Sequence, residues 1–259
     1  MGLWQEVFSL AMHGNTFGLK PSHVRMLESV ASRRNPPESL LGATCAALLL
    51  EISHSTGREV GILVDRKGVV RDVVVGTSET LILPAPDLPE GGLMPGLRLL
   101  HAHPGVRGLS EEDLTLLYSH RLDAVVVCIR QHPDAFVQVS WAYLDDAVHP
   151  EPVVQPFVSL GRLELNFQVW IAQRDDRMQR TRARTVRHTE RALLMVVADE
   201  RTRLERRLTE LRELARTAGV EVIDVAFQLR PRPDPRTLIG RGKLEEILHT
   251  LGRYELDLL

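Results

Sequence analysis

The sequence predicts an α/β protein. A mixed α/β domain spans residues 1–150, a Pro- then Arg-rich linker spans 151–187, and an incomplete parallel βαβ domain spans 188–259. Three observations carry this reading. Apolar residues at helical spacing give way after residue 57 to β-branched runs. Strands and helices alternate again from about residue 188. The net charge of −2 divides unevenly, with −6 on residues 1–160 and +4 on residues 161–259.

Taken in order, "GLKPSHVRMLESVASRRN" (18–35) predicts a helix with Pro21 near its start and Val24, Leu27, Val30 and Ala31 at helical spacing. A second helix follows Pro36-Pro37 and stops at Gly57. "EVGILVD" and "VVRDVVVG" form a hairpin that turns near Lys67-Gly68. "TLILP" (80–84) reads as a further strand, 84–96 as a loop, and "LRLLHAH" (97–103) as a strand ending on two histidines. "SEEDLTLLYSHR" predicts a helix with Ser110 as N-cap and Asp113 at N3, a capping box with Asp in place of Glu. "DAVVVCIR" and "FVQVSWAYL" are the next strands. Residues 147–160, with three prolines, read as a connection.

Arg174 to Arg191 holds seven arginines against three acids, which suits either a solvated helical linker or an RNA-facing stripe. "RALLMVV" and "VEVIDVAFQ" are strands around an amphipathic helix that sets Leu204, Leu208, Leu211 and Leu214 on one face and stops at Gly219. A loop, a helix over "KLEEILHTLGR" and a third strand, "YELDLL", complete the chain, leaving an open apolar sheet edge.

Apolar residues make up 44% and charged residues 25% of 259, the composition of a folded soluble protein. No apolar run approaches the roughly 20 residues that cross a bilayer, and the start lacks the basic region of a signal peptide. Two distant cysteines, Cys45 and Cys128, predict buried thiols in a reduced, cytoplasmic setting. His54, His120, His132, His149, His188 and His249 are scattered and read as surface residues; Trp4, Trp141 and Trp170 read as packing anchors.

The chemistry-bearing stretch is "LLHAHPGVRGLSEEDLTLL" (99–117). Residues two apart on a strand point to one side, so His101 and His103 can face one ion, and Asp113 in the next helix can add a carboxylate. Two His and one carboxylate leave an open position, as catalytic zinc requires. Ser110 and Asp113 are equally readable as helix-start residues. With an upstream glutamate, H-x-H-P, a serine and an aspartate, the stretch resembles the JAMM metalloproteases. That resemblance implies bound Zn²⁺ and an isopeptidase or amidase activity, with Glu59 as the upstream glutamate that transfers a proton and Ser110 as the residue that steadies an oxyanion. Two features depart from the pattern: six rather than seven residues separate His103 from Ser110, and Ala102 replaces Ser or Thr.

"ELARTAGVEVIDVAFQLRPRPDPRTLIGRGKLEEI" (213–247) resembles the N-terminal domain of the HflX family of ribosome-associated GTPases. The resemblance is carried by Ala218-Gly219, Gln228, Pro233 with Pro235, and Ile239 to Lys243. "GNTFGLKPSHVRMLE", "REVGILVDRKGVVRDVVVG" and "HAHPGVRGLSEEDLTLLYSHRLD" resemble the extension of longer members. It implies ribosome splitting or rescue under stress, with the large ribosomal subunit and its RNA as partners and Arg241 and Lys243 as exposed contacts. A phosphate-binding GxxxxGK[ST] loop is missing, since Thr237 and Leu244 stand at its first and last positions; no residue is assigned to nucleotide. "GRGKLE" likewise lacks the third glycine of a dinucleotide loop. The expectation is a chain truncated before its GTPase domain, which would be the partner that carries GTP and Mg²⁺.

Overall fold

The computed structural model describes residues 11–85, 94–147, 150–184, 190–230, 239–240, 242–243, 247 and 256. Contacts divide them into two compact units, one from residues up to 145 with 152–176, the other from 146–151 with residues from 177 onward.

The first unit is built on a seven-stranded sheet in the order β1-β3-β2-β4-β5-β6-β7. Its strands are β1 (Ala11–Gly14), β2 (Val60–Asp65), β3 (Val70–Val75), β4 (Leu97–Ala102), β5 (Ala124–Ile129), β6 (Gln138–Leu144) and β7 (Pro152–Ser159). β1/β3 and β4/β5 are parallel; the remaining pairs are antiparallel. Nearly unbroken burial along β2, β4 and β5 follows from cover on both faces. On one face α1 (Pro21–Ala31), α2 (Ala43–Thr56) and the start of α4 (Phe167–Arg184) pack Leu27, Leu49, Ile52, Phe167 and Ile171 against Ile62, Leu100 and Val126. On the other, α3 (Glu111–Ser119) and Leu81 and Leu83 cover Leu63, Leu99 and Val125.

The hairpin forms as expected, and its tip explains Gly68: φ is +82°, and a Cβ there would meet the Asn35 carbonyl at 1.9 Å. Three expectations are corrected. Residues 152–159 are not part of a connection; Val139↔Val158 and Tyr143↔Val153 pairing makes them the edge strand β7, despite Pro152 and Pro156. Leu81 and Leu83 are buried, but the segment joins no ladder and serves as apolar cover rather than a strand. Residues 11–14, read without a strand, pair with β3.

Buried cations tie the first unit together. Arg98 is fully buried; it donates to the carbonyls of Leu40, Asp65 and Ser39 and stacks on Phe167 at 4.1 Å. Burial pulls its guanidinium down to about 10, against the opposing pull of Asp123 and Asp65. Arg174, from the Arg-rich stretch, is also fully buried, donating to the Asp123 and Leu144 carbonyls beside Tyr143 and Trp170. It is therefore no part of an RNA-facing stripe. Trp141 and Trp170 are packing anchors as expected, with centroids 5.2 Å apart and edge to face. Cys45 and Cys128 are buried free thiols.

In the second unit β8 (Arg191–Ala198) and β9 (Glu221–Leu229) pair in parallel through α5 (Arg201–Ala218), the expected βαβ crossover. Gly219 ends α5 at φ +73°. Leu204, Leu208 and Leu211 pack on Val196 and Ala198, whereas Leu214 is 64% exposed and leaves the expected apolar face. Ile239 and Ile247 bury against Leu193 and Ala226. The expected third strand at 254–259 lies outside the described residues apart from Leu256. No described helix is long and apolar enough to cross a membrane.

Candidate metal centre

β4 and α3 build the site from the first unit. β4 lies between β2 and β5, with His101 opposite Gly61 and Val127. The β2 side leaves room because residue 61 has no side chain: a Cβ there would meet Leu81 at 2.9 Å, Leu99 at 3.0 Å and the His101 Cβ at 3.2 Å. Glu59, just before β2, is held by backbone bonds to Thr77 and Gly76.

Ser110 caps α3 as the sequence predicts, and the capping box is complete. Ser110 N and Oγ both donate to Asp113 Oδ2, at 2.8 and 3.0 Å, while Asp113 N donates to Ser110 Oγ at 3.2 Å. The other oxygen, Oδ1, lies 3.0 Å from His101 Nε2. Asp113 thus keeps its helix-start role while its second oxygen is directed at His101. With both of its hydrogen-bonding directions used in the box, Ser110 would have to break it to donate to an oxyanion.

His101, His103 and Asp113 are all buried, and one potential ligand atom from each lies within 4.8 Å of the others. The two Nε2 atoms are 2.8 Å apart, and His103 Nε2 is 3.5 Å from Asp113 Oδ2. Both Nδ1 atoms are buried without a hydrogen-bond partner. One proton can lie between the two Nε2 atoms, but it cannot also serve Asp113. Two imidazole nitrogens and a carboxylate oxygen converging in this way match the donor set of zinc. Tetrahedral donors about 2.0–2.2 Å from zinc stand roughly 3.3–3.6 Å from one another. The 3.5 Å approach to Asp113 Oδ2 lies in that range, and the 2.8 Å ring-to-ring and 3.0 Å His101–Oδ1 spacings are shorter by about half an ångström or less. The residues fit the ion.

Glu59 completes the cluster, with Oε1 3.9 Å from His103 Nε2. Burial raises the Glu59 carboxyl above its ordinary range, against the pull of His103 and His101. Burial also pushes Asp113 upward, but the charge of His101 and hydrogen bonds from His101, His103 and the Ser110 backbone hold it well below the carboxylate range. The structure thus brings together all five site residues expected in this unit: Glu59, His101, His103, Ser110 and Asp113. Sequence reasoning missed Arg107, whose Nη2 reaches Glu59 Oε1 at 3.4 Å. It sits in the spacer of the motif, where no pattern marks it. His120, read as a surface residue, is half-buried and bonded to Ser119 and the Pro84 carbonyl, away from this cluster.

In the second unit Gln228 Oε1 accepts from Gly240 N at 2.8 Å, fixing the start of the glycine-containing loop on β9. Lys243 Nζ lies 5.8 Å from the Phe227 ring centroid. Arg241 lies outside the described residues. Arg191 is buried beside Glu221 at 3.8 Å, so a second arginine of the basic stretch is structural.

Residues 205–259 match the family model described as "GTP-binding GTPase N-terminal". The chain is similar to the GTPase HflX of Lacrimispora saccharolytica, 46% identical over 50 residues that make up 19% of this chain and 11% of that protein. It is also similar to the GTPase HflX of Caldanaerobacter subterraneus subsp. tengcongensis, 39% identical over 77 residues, 28% of this chain and 17% of that protein. The match thus spans less than a fifth of either relative. No solved structure matches the chain.

Proposed function

From a C-terminal portion of the HflX-family N-terminal type, we propose that this chain is the ribosome-directed region of an HflX-like protein. Its second unit engages RNA of the large ribosomal subunit during stress, in the cytoplasm, and works with a GTPase domain that holds GTP and Mg²⁺. The observation that carries this is the match over residues 205–259. The anchoring of its "IGRGK" loop to β9 through Gln228 supports it further. Lys243, with Arg241, is the contact residue in this reading. Co-sedimentation with ribosomes over a salt series tests it. Binding that weakens steeply with salt is expected, because each phosphate contact releases counterions. Absent or salt-insensitive binding contradicts it.

The 3.0 Å approach of His101 Nε2 to Asp113 Oδ1, beside Glu59, favours a second reading for the first unit. In it the unit is a zinc-dependent hydrolase of amide or isopeptide bonds. His101, His103 and Asp113 hold the ion, which when bound polarises a carbonyl and acidifies water. Glu59 Oε1 receives and returns a proton, a task suited to a carboxyl raised by burial. Ser110 fixes the Asp113 carboxylate, and α3 and the Leu81–Leu83 cover shield that side of the sheet from water. Metal analysis of protein purified without chelator tests this reading; metal-free, folded protein that takes up no zinc contradicts it.

A further inference from the structure

The inference rests on the metal-centre reading and concerns Arg107. Its side chain is 53% exposed, whereas the Glu59 carboxylate it touches is only 5% exposed. Nη2 donates to the Ser78 carbonyl at 2.6 Å and reaches Glu59 Oε1 at 3.4 Å. One nitrogen therefore links the loop after His103 to the turn over Thr77–Thr80, directly above the carboxylate that faces His103. The rest of the fork, Nε and Nη1, has no hydrogen-bond partner among the described residues.

A guanidinium is a rigid fork that holds a carboxylate best through two parallel bonds. Here it holds one oxygen by a single bond at the outer limit of hydrogen-bond length. A carboxylate approaching from solvent offers it a better partner. The loop can follow, because a Cβ built at Gly105 (φ +120°) would meet nothing within 4 Å and Val106 is itself 56% exposed.

We propose that Arg107 is the specificity residue of this centre. It receives the free carboxylate of a short peptide or amide whose carbonyl lies over His101, His103 and Asp113. In turning to that carboxylate it releases Glu59. Glu59 Oε1 lies 3.4 Å from Arg107 Nη2 and 3.9 Å from His103 Nε2, so the ligand's carboxylate lies within about two residues of the amide. The step is an exchange of ion-pair partners in which no covalent bond forms or breaks.

The test uses the full chain loaded with Co²⁺, titrated by calorimetry with N-acetylglycylglycine and with its C-terminal amide. The acid is expected to bind about tenfold tighter than the amide. Arg107→Ala should abolish the difference at unchanged metal content, and Arg107→Lys should keep part of it. Equal binding of the two probes overturns the proposal. So does a preference that survives in Arg107→Ala, which would place the carboxylate on the metal itself. Metal content separates the two levels. One metal per chain without discrimination overturns the role of Arg107 alone, whereas a parent chain that takes up no metal overturns the centre and this proposal with it.

Discussion

Ser110 and Asp113 bond each other in both directions. The Ser110 N–H and hydroxyl donate to Asp113 Oδ2, and the Asp113 N–H donates to Ser110 Oγ, leaving Oδ1 to face His101. The start of a helix is thereby also the device that aims a carboxylate at two imidazoles.

Ser110→Ala separates the two consequences of this arrangement. Loss of the cap should lower the stability of the first unit by about 1 kcal/mol in urea unfolding. Zinc affinity should fall about 10–100-fold as well, because Asp113 loses the hydroxyl that orients it. Unchanged affinity in a destabilised variant would restrict Ser110 to capping.

Zinc removal should cost stability. The chain as purified is expected to hold one zinc, and a chelator should lower its Tm by several degrees, with recovery on adding zinc back. His101→Ala, His103→Ala and Asp113→Ala should each lose the ion. A Tm indifferent to chelator and zinc would remove the metal from the account of this site.

Gly61→Ala should be disruptive although it adds a single methyl. The new Cβ would lie 2.9 Å from Leu81 and 3.2 Å from the His101 Cβ, in the middle of a sheet covered on both faces. A loss of about 1–3 kcal/mol is expected by chemical denaturation. Leu81→Ala in the same chain should recover part of it, because it removes the nearest clash.

Arg66 holds buried Asp123 through two bonds of 2.7 and 2.8 Å and also binds half-exposed Asp175. Arg66→Ala leaves Asp123, 1% exposed, without this partner. It should cost about 3–5 kcal/mol, whereas Asp175→Ala should cost under about 1 kcal/mol. Equal losses would mean that the burial of Asp123 is not what makes the pair matter.

In the second unit, Gln228→Ala removes the bond to Gly240 N and should lower stability by about 1 kcal/mol. If the loop meets RNA, ribosome affinity falls with it, but the salt slope stays unchanged because no cation is lost. Lys243→Ala should reduce that slope by about 1. A slope altered by Gln228→Ala and not by Lys243→Ala would assign the contact elsewhere.

The centre was legible from spacing alone as far as His101, His103, Ser110 and Asp113, because a strand's two-residue period and a capping box are local rules. Glu59 was legible only through a longer pattern. Arg107 carried no signal, since its relation to Glu59 depends on how the loop after His103 folds back over the turn at Thr77–Thr80. The prolines at 152 and 156 argued for a connection, yet an edge strand tolerates them because only one side of it needs donors. Arg174 and Arg191 looked like part of a basic surface. Burial beside carbonyls, aromatic rings or a carboxylate is a property of neighbours that composition does not record.

What the sequence determined by itself was whatever depends on near neighbours along the chain: helix and strand periods, the capping box, the hairpin glycine, and the pair of imidazoles on one side of a strand. The tertiary structure decided which distant groups share a buried space. It placed β4 between β2 and β5, so that His101 lies opposite Gly61, and it set Asp113 within 3.0 Å of that ring. The physical reason is that periodicity fixes where a side chain points, whereas the charge, hydration and partners it acquires are fixed only when packing excludes water and brings remote segments together.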